Sequence, residues 1–273
     1  MSIIIPTYND DPDHLAAAVE SALAQTYGDV EIVVVDDGST QPVSIDGVRV
    51  IRQDNEGTSS AVTTGIAATD GEFVLILGGD DRMDAHLVAE SVTLLQDDRE
   101  AVAAIPHLEQ FGDFRTKIGE MPFEARLADL IFRNRIVATA MFRRSTWEAC
   151  GGYDRTLQAL EDWELWVRFL AQTNGLMRRV PTAKFYYRIR SVSRNTYGMT
   201  PEAHDAARAR MVANNPDHLD RLFLAMVDAA HRLQGQLWAR EAEVTKWRRR
   251  VGPARGVWLA AKNIARRSDR ERK

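Results

Sequence analysis

The stretch Gly71 to Asp84, GEFVLILGGDDRMD, constrains this chain more than any other. Phe73 to Leu77 is an unbroken apolar run, rich in β-branched and aromatic residues. Such a run reads as a strand buried on both faces, in the middle of a parallel sheet. It stops at Gly78 and Gly79, and two carboxylates, Asp80 and Asp81, follow at once. Ligands of open α/β sheets bind outside the carboxyl ends of the strands. Carboxylate oxygens suit magnesium or manganese, which can neutralise substrate phosphates. A strand closed by an acidic turn is the plainer reading of the same residues.

The rest of the first half repeats this pattern. Ile3 to Ile5 predicts a short buried strand, ended by Pro6 and the polar run Thr7, Tyr8, Asn9, Asp10. Leu15, Val19, Ala22 and Leu23 recur at helical spacing over 13–25, with Asp13 as the expected N-cap. Glu31 to Val35 predicts a second strand ending in the acidic turn Asp36, Asp37, Gly38. Val48 to Arg52 predicts a third, followed by the turn Asn55, Glu56, Gly57, Thr58 and a small-residue helix over 59–68. Strands alternating with helices in this way predict a doubly wound α/β sheet, with both acidic turns on one edge.

Further on, the pattern predicts a helix over 85–95, a strand over 101–106, an irregular ligand-side loop over 107–122 and a short helix over 124–132. A strand over 136–142, a helix through Trp147 to Cys150 and the tight turn Gly151 to Asp154 come next. Leu160 to Phe169 reads as a helix opening on two carboxylates, Glu161 and Asp162. The helix dipole favours acids there, or one of them serves the cleft as a general base. Val180 and Phe185 to Ile189 give the last strand-like segments, before a polar loop from Arg188 to Tyr197.

Composition narrows the class. The 273 residues suit one large domain, or one with an appendage. Cys150 is the single cysteine, so no internal disulfide framework exists, and it reads as a packing residue. The six histidines have no zinc-site spacing. Ser2 leads directly into a strand and no stretch approaches a transmembrane length, which together predict a cytoplasmic protein. The net charge of −4 hides an asymmetry: residues 246–273 hold eleven Lys/Arg against two Asp/Glu, a net of +9, which leaves −13 for the rest.

Seven segments in order carry a resemblance: SIIIPTYN (Ser2 to Asn9), VVVDDGST (Val33 to Thr40), NEGTSSA (Asn55 to Ala61), LGGDD (Leu77 to Asp81), GGYD (Gly151 to Asp154), LEDWELWVR (Leu160 to Arg168) and YRIRSVS (Tyr187 to Ser193). Together they resemble the family 2 glycosyltransferases over residues 2 to about 195. The resemblance implies the GT-A fold, a Rossmann-like, mostly parallel central sheet flanked by helices. It implies an inverting enzyme that moves a sugar from a nucleotide sugar, with UDP favoured, to a hydroxyl. Pro6, Thr7 and Tyr8 would line the base pocket, and Asp37, with Asp36, would meet the uracil edge. Gly57 belongs to the same donor site. Asp80 and Asp81 would hold a divalent cation, manganese or magnesium, with Asp81 favoured for the metal and Asp80 for the ribose. Asp162 would be the general base, supported by Glu161, and Arg188 and Arg190 would clamp the diphosphate. A saccharide, a lipid-linked group or a protein hydroxyl would be the acceptor.

Three departures stand out. Gly78 occupies a position where the family commonly has aspartate, Val62 and Thr63 replace a common Arg-Asn, and Arg190 stands where a histidine is frequent. They motivate an alternative, a non-catalytic nucleotide-sugar-binding or scaffold protein on a degenerate domain.

The resemblance ends near residue 200, so the chain is expected to divide into a catalytic domain (1–200) and a C-terminal helical region (201–273). Leu219, Phe223, Met226, Ala230, Leu233, Leu237, Val244, Trp247 and Val251 follow heptad spacing, interrupted at Arg240. A coiled coil over 217–251, making a homo-oligomer, competes with a helix packed on the catalytic domain. Gly252 and Pro253 are expected to end it. The segment 254–273 is basic and amphipathic, with Trp258 on its apolar side. It is either a peripheral contact with the inner face of a membrane or a solvated terminus, with nucleic acid ranked last.

Overall fold

The computed structural model describes residues 1–113, 120–190 and 200–271, with side chains described as far as residue 247. The chain divides into two units, residues 1–225 and 226–273. In the first unit, β1 (Ser2–Thr7), β2 (Glu31–Asp36), β3 (Arg49–Arg52) and β4 (Phe73–Ile76) form the parallel half of a mixed sheet. β1 lies between β2 and β4. Ile3, Ile4, Ile5, Val33, Val34, Val35 and the whole run Phe73 to Leu77 are buried, as a doubly covered sheet requires. Each large apolar side chain so buried contributes about 1.5–3 kcal/mol. Helices α1 (Pro12–Leu23) and α2 (Thr58–Ala67) connect these strands, and α2 packs on β1 and β2.

After β5 (Arg82–Met83) and α3 (Leu87–Asp97), the second half is built on two long strands, β6 (Ala101–Gly112) and β9 (Leu176–Ile189), which run parallel. The short β8 (Met141–Arg143) is antiparallel to both β4 and β6, while β5 and β7 (Glu124–Ala125) are antiparallel to β9. Because β8 opposes β4 and β6 alike, β1 to β4, β6 and β9 all point the same way. Their C-terminal residues, Thr7, Asp36, Arg52, Ile76, Gly112 and Ile189, define a single edge.

Several element boundaries depart from the sequence pattern. Asp11, not Asp13, caps α1: its carboxylate accepts from the N–H groups of Asp13 (2.9 Å) and His14 (3.3 Å), because Pro12 begins the helix. The strand expected to stop at Pro106 continues to Gly112. Its ladder with β9 shifts between Ile105 and His107, so the proline, which lacks an N–H, sits at the irregularity. Residues 107–112 are therefore strand rather than loop, and 114–119 of that expected loop lie outside the described residues. The segment 124–132 holds β7 and only one helical turn, α4 (Leu127–Leu130). The strand expected over 136–142 shrinks to β8, and Val180 and Phe185 to Ile189 belong to one strand. Beyond the one-turn helix of Pro216–His218, α8 runs from Leu219 to Glu271, through Gly252 and Pro253. A proline removes one helical hydrogen bond but does not forbid continuation.

The helix from the segment LEDWELWVR is α6 (Glu161–Thr173), and it is buried nearly all round rather than on one face. Trp163 and Trp166 are fully covered, and Phe142, Trp166 and Phe169 meet edge to face at 5.6–5.9 Å. Two of its buried charges satisfy each other, since Glu164 and Arg168 form an ion pair one turn apart. Arg168 also donates to the carbonyl of Cys150 at 2.7 Å, at the end of α5 (Arg144–Cys150). Burial pushes the Cys150 thiol up to about 11, which leaves it an inert packing group.

Helix α7 (Pro201–Ala213) is tied to α6 by a polar network. Asn214 donates to both Glu164 (3.0 Å) and Asp154 (2.8 Å), and Arg210 pairs with Asp154. Burial would raise the Asp154 carboxyl, but donors from Thr156, Asn214 and Arg210 outweigh it and hold the group well below the usual carboxylate range. A depressed carboxyl stabilises the fold above its unfolded pKa of about 4 and loses that contribution as pH falls below it. Asp154→Asn is therefore expected to cost about 1–3 kcal/mol in urea unfolding at pH 7. The gap to wild type should stay constant above about pH 5 and close below about pH 4.

Candidate active site

The expected site residues fall into three groups, two at the strand ends and one at the start of α6. The first lies after β1 and β2. Asp36 is fully buried, and its oxygens accept from the N–H groups of Ser39 (2.9 Å) and Val43 (3.2 Å) and from Arg52. Burial pushes its carboxyl up, but these donors prevail and hold it below its ordinary value. Asp36 thus organises the turn from beneath. The Asp37 carboxylate accepts from the Gln53 side chain (2.8 Å) and from the N–H groups of Glu56 (3.1 Å) and Gly57 (2.9 Å). Gly57 has φ of +90°, which L side chains rarely adopt, and this conformation accompanies the N–H bond to Asp37. Thr7 is buried and Pro6 half-buried, while Tyr8 is 52% exposed. Asn9, a residue given no role by the sequence pattern, laces the two turns together. Its N–H donates to Ser39 Oγ (2.9 Å), and its side-chain oxygen accepts from the Thr40 N–H (2.8 Å).

The second group follows β4. Asp81 is buried, and its carboxylate accepts from the backbone N–H of Arg188 at 2.8 Å. A Cβ at Gly78 would lie 2.7 Å from Asp81 Oδ2, and one at Gly79 would lie 2.5 Å from Asp10 Oδ2. The two glycines are therefore the space into which two carboxylates fold. Asp80 points to Arg190 at 2.5 Å, and Arg190 also reaches Asp10 at 3.3 Å. Arg188 donates from Nε to the carbonyl of Asp80 at 2.8 Å. Burial, then the charge of Asp80, raises the Asp10 carboxyl and pushes that of Asp81 well above its usual range. Asp10, held by Thr7 Oγ1 at 3.0 Å, is a site residue that the sequence pattern marked only as part of a polar turn.

The donor chemistry fits a divalent cation. Asp80 and Asp81 offer adjacent hard oxygens, and burial, then the charge of Asp80, raises the Asp81 carboxyl, two costs that a cation beside it would offset. Among the described residues no three Asp, Glu, His or Cys side chains form a closed metal-binding group. Magnesium-type sites commonly use one or two carboxylates and complete the shell with water and substrate phosphates.

The third group opens α6. Leu160 precedes the helix at φ of +63°, a left-handed conformation that costs a branched residue about 1–2 kcal/mol. Strain of this kind collects where a structure over-determines a position. Glu161 is buried and Asp162 half-buried. Asp162 Oδ2 accepts from the side-chain amide of Asn134 at 2.9 Å, and Oδ1 from the Trp163 N–H at 2.8 Å. Nothing in the sequence pattern singled out Asn134. Of the YRIRSVS segment, Ser191 to Ser193 lie outside the described residues, as does the polar loop to Tyr197.

A family model described as Glycosyl transferase family 2 matches residues 2–151, more than half of the chain. The chain belongs to glycosyl transferase family 2. An uncharacterized glycosyltransferase of Nostoc sp. is 37% identical over 119 residues, which are 40% of this chain and 36% of that one. One from Rickettsia typhi is 25% identical over 239 residues, 82% of this chain and 70% of that one. The chain therefore spans about a third of the length of the Nostoc relative and over two thirds of the Rickettsia one. Among solved structures, residues 1–349 of TarS from S. aureus, crystallised with UDP-GlcNAc, superpose with a TM-score of 0.62 at 16% identity. That match covers 78% of this chain and 65% of TarS, and it shows the shared GT-A fold.

The Gly78 geometry makes a prediction independent of any ligand. Gly78→Ala is expected to drive the Asp81 carboxylate out of its niche and break its bond to the Arg188 N–H. Amide exchange at Arg188 should accelerate about tenfold, while protection in β1 and β2 stays unchanged.

Proposed function

We propose that this chain transfers a sugar from a nucleoside diphosphate sugar, with UDP the favoured nucleotide, to an acceptor hydroxyl with inversion at the anomeric carbon. The observation that carries this reading is the strand-end pair Asp80–Asp81, with Asp81 buried and both arginines of β9 and its end fastened to it. Family membership and the TarS complex with UDP-GlcNAc support the donor class.

In this reading Tyr8 and the Asp37 turn receive the base, with Pro6, Thr7 and Gly57 shaping the pocket and Asp36 holding the turn. Asp80 and Asp81 would hold a divalent cation whose charge neutralises the leaving diphosphate. Arg188 and Arg190 contact the same phosphates, Arg190 exchanging its ion pairs with Asp80 and Asp10 for phosphate oxygens. Asp162, oriented by Asn134 and supported by Glu161, takes the proton of the acceptor hydroxyl as its oxygen attacks the anomeric carbon. The bond from that carbon to the phosphate oxygen breaks on the opposite face, and the diphosphate leaves with the electron pair. Late proton transfer suits a carboxylate, because the attacking oxygen becomes acidic only as the bond forms. The scaffold alternative loses part of its motive, since the place of a residue-78 side chain is filled by the Asp81 carboxylate.

The tail enters as a finer proposal. Met226, Leu233, Leu237, Trp238, Val244 and Trp247 are exposed in the single chain, which supports self-association through α8. Leu219 and Phe223, the first residues of the stripe, are also exposed, whereas Leu222 and Ala225 are buried. No described helix is long and apolar enough to cross a membrane. The side chains of the basic segment 254–273, proposed as a peripheral membrane contact, lie outside the described residues.

Two measurements test the enzyme reading. Asp162→Asn should lower turnover of a UDP-sugar by about 10²- to 10⁴-fold, with UDP affinity changed less than about threefold. Near wild-type turnover in that variant would remove Asp162 from its role. Calorimetry should find UDP binding tightened about tenfold by manganese in wild type and unaffected by it in Asp81→Asn. Metal-independent binding in the wild type would sink the assignment of Asp80 and Asp81.

A further inference from the structure

From Ala230 to Trp247 every residue of α8 is exposed. A lone helix of that length is marginal in water, yet this one carries Leu233, Leu237, Val244 and Trp247 along one seam. Heptad spacing puts Ala230, Leu237 and Val244 at one core position of the repeat, and Leu233, Arg240 and Trp247 at the other. In chain order the seam therefore runs Ala, Leu, Leu, Arg, Val, Trp. Its ends are opposite in size, and its one charge lies near the middle.

That order decides how two copies can meet. In a parallel, in-register pair each layer holds the same residue twice. Two Ala230 methyls would leave a gap, two Trp247 indoles would crowd one layer, and two Arg240 guanidinium groups would share another. Turned end to end about a point between Trp238 and Ala239, the seam meets itself differently. Ala230 then faces the partner's Trp247, Leu233 the partner's Val244, and Leu237 the partner's Arg240, each contact occurring twice. The smallest residue meets the largest, no layer holds two charges, and the Arg240 methylenes lie on leucine.

Charge favours the same arrangement. Glu243 follows Arg240 by one turn and flanks the seam on its side. Helical side chains lean toward the N-terminus of their own helix. In the antiparallel pair Arg240 and the partner's Glu243 therefore lean toward each other, and the two-fold axis repeats the contact. Beyond the seam, residues 246–273 carry a net charge of +9, and the helix continues to Glu271. A parallel pair would run two such segments side by side, whereas an antiparallel pair sends them off opposite ends.

We infer that α8 pairs with a second copy of this chain in antiparallel sense, with Ala230 to Trp247 as the seam and Arg240 held by the partner's Glu243. The inference deepens the self-association proposed above for α8 and rests on it.

The test is sedimentation of the full-length protein, followed by disulfide trapping of Leu233→Cys and Val244→Cys in the full chain. Wild type should sediment as a dimer at tens of micromolar. Its single thiol, Cys150, is buried and inert, so oxidation should leave wild type without a cross-link. In the antiparallel pair each new cysteine stands about 16 Å along the axis from its own copy, beyond disulfide reach, so neither variant alone should form a covalent dimer. An equimolar mixture, exchanged under reducing conditions and then oxidised, should trap up to about half of the chains as a covalent pair of one variant with the other. Arg240→Glu should raise the dimer dissociation constant about tenfold, and Arg240→Glu with Glu243→Arg should bring it back to within about threefold of wild type. A covalent dimer from either cysteine variant alone overturns the antiparallel pairing and leaves self-association standing. Monomeric wild type sinks self-association and the inference with it. A wild-type dimer whose mixed variants do not cross-link, or whose charge reversal is not restored by Glu243→Arg, overturns this seam.

Discussion

Asp81 is the constraint on which this site depends. A carboxylate at the end of a fully buried strand has little water, and burial alone would neutralise it. It is kept where it is by two things: the empty side-chain space of Gly78 and the N–H of Arg188. The first fixes the geometry of the turn after β4, and the second bolts that turn to β9, more than a hundred residues later in the chain. Asp10 repeats the arrangement against Gly79, with Thr7 and Arg190 as its partners. Two glycines thus do for this turn what a closed set of donors does in an ordinary buried ionic cluster. They create room, and the polar groups of three different strand ends supply the bonds.

The helix that carries Glu161 and Asp162 is held by a different force. α6 is almost wholly buried, so its position follows from aromatic packing against β8 and α5 rather than from the polar edge. The Glu164–Arg168 pair and the links from Asn214 and Arg210 then close the remaining polar groups. A buried pair of this kind adds little net stability against apolar replacements, but removing one partner strands the other. This gives the first unit a reason to extend past the last strand as far as Ala225, since α7 and Asn214 complete the surroundings of α6.

Much of this was legible in the sequence, for identifiable reasons. Ile3 to Ile5, Val33 to Val35 and Phe73 to Leu77 are short, β-branched apolar runs bounded by turn residues, which suits strands covered on both faces. The helices between them followed from periodicity. Short pieces were not legible: β5, β7 and β8 have two or three residues each and exist only because β9, β4 and β6 offer them open edges. Pro106 misled because a proline that ends a strand and one that sits at a ladder shift look alike until the partner strand is known. Gly78 looks like a lost carboxylate in the sequence, but in the folded chain Asp81 fills its space. Asn134 and Asp10 act through tertiary contacts, which spacing along the chain does not encode.

The end of β9 shows how a site can be assembled from one strand's last few residues. The backbone of Arg188 holds Asp81, its Nε holds the Asp80 carbonyl, and its guanidinium lies on Phe111. Two residues on, Arg190 closes Asp80 and Asp10. Acidic turn and basic strand end therefore move as one body, and neither can be repositioned without breaking bonds in the other. Such coupling suits a site that must balance several negative charges. In the proposed reaction the arginines would turn to the phosphates of the donor, and the carboxylates would take a divalent cation in their place. The bonds made through backbone atoms, from the Arg188 N–H and to the Asp80 carbonyl, do not depend on those side-chain charges and would survive such an exchange. They keep the frame fixed while the side-chain charges are reassigned.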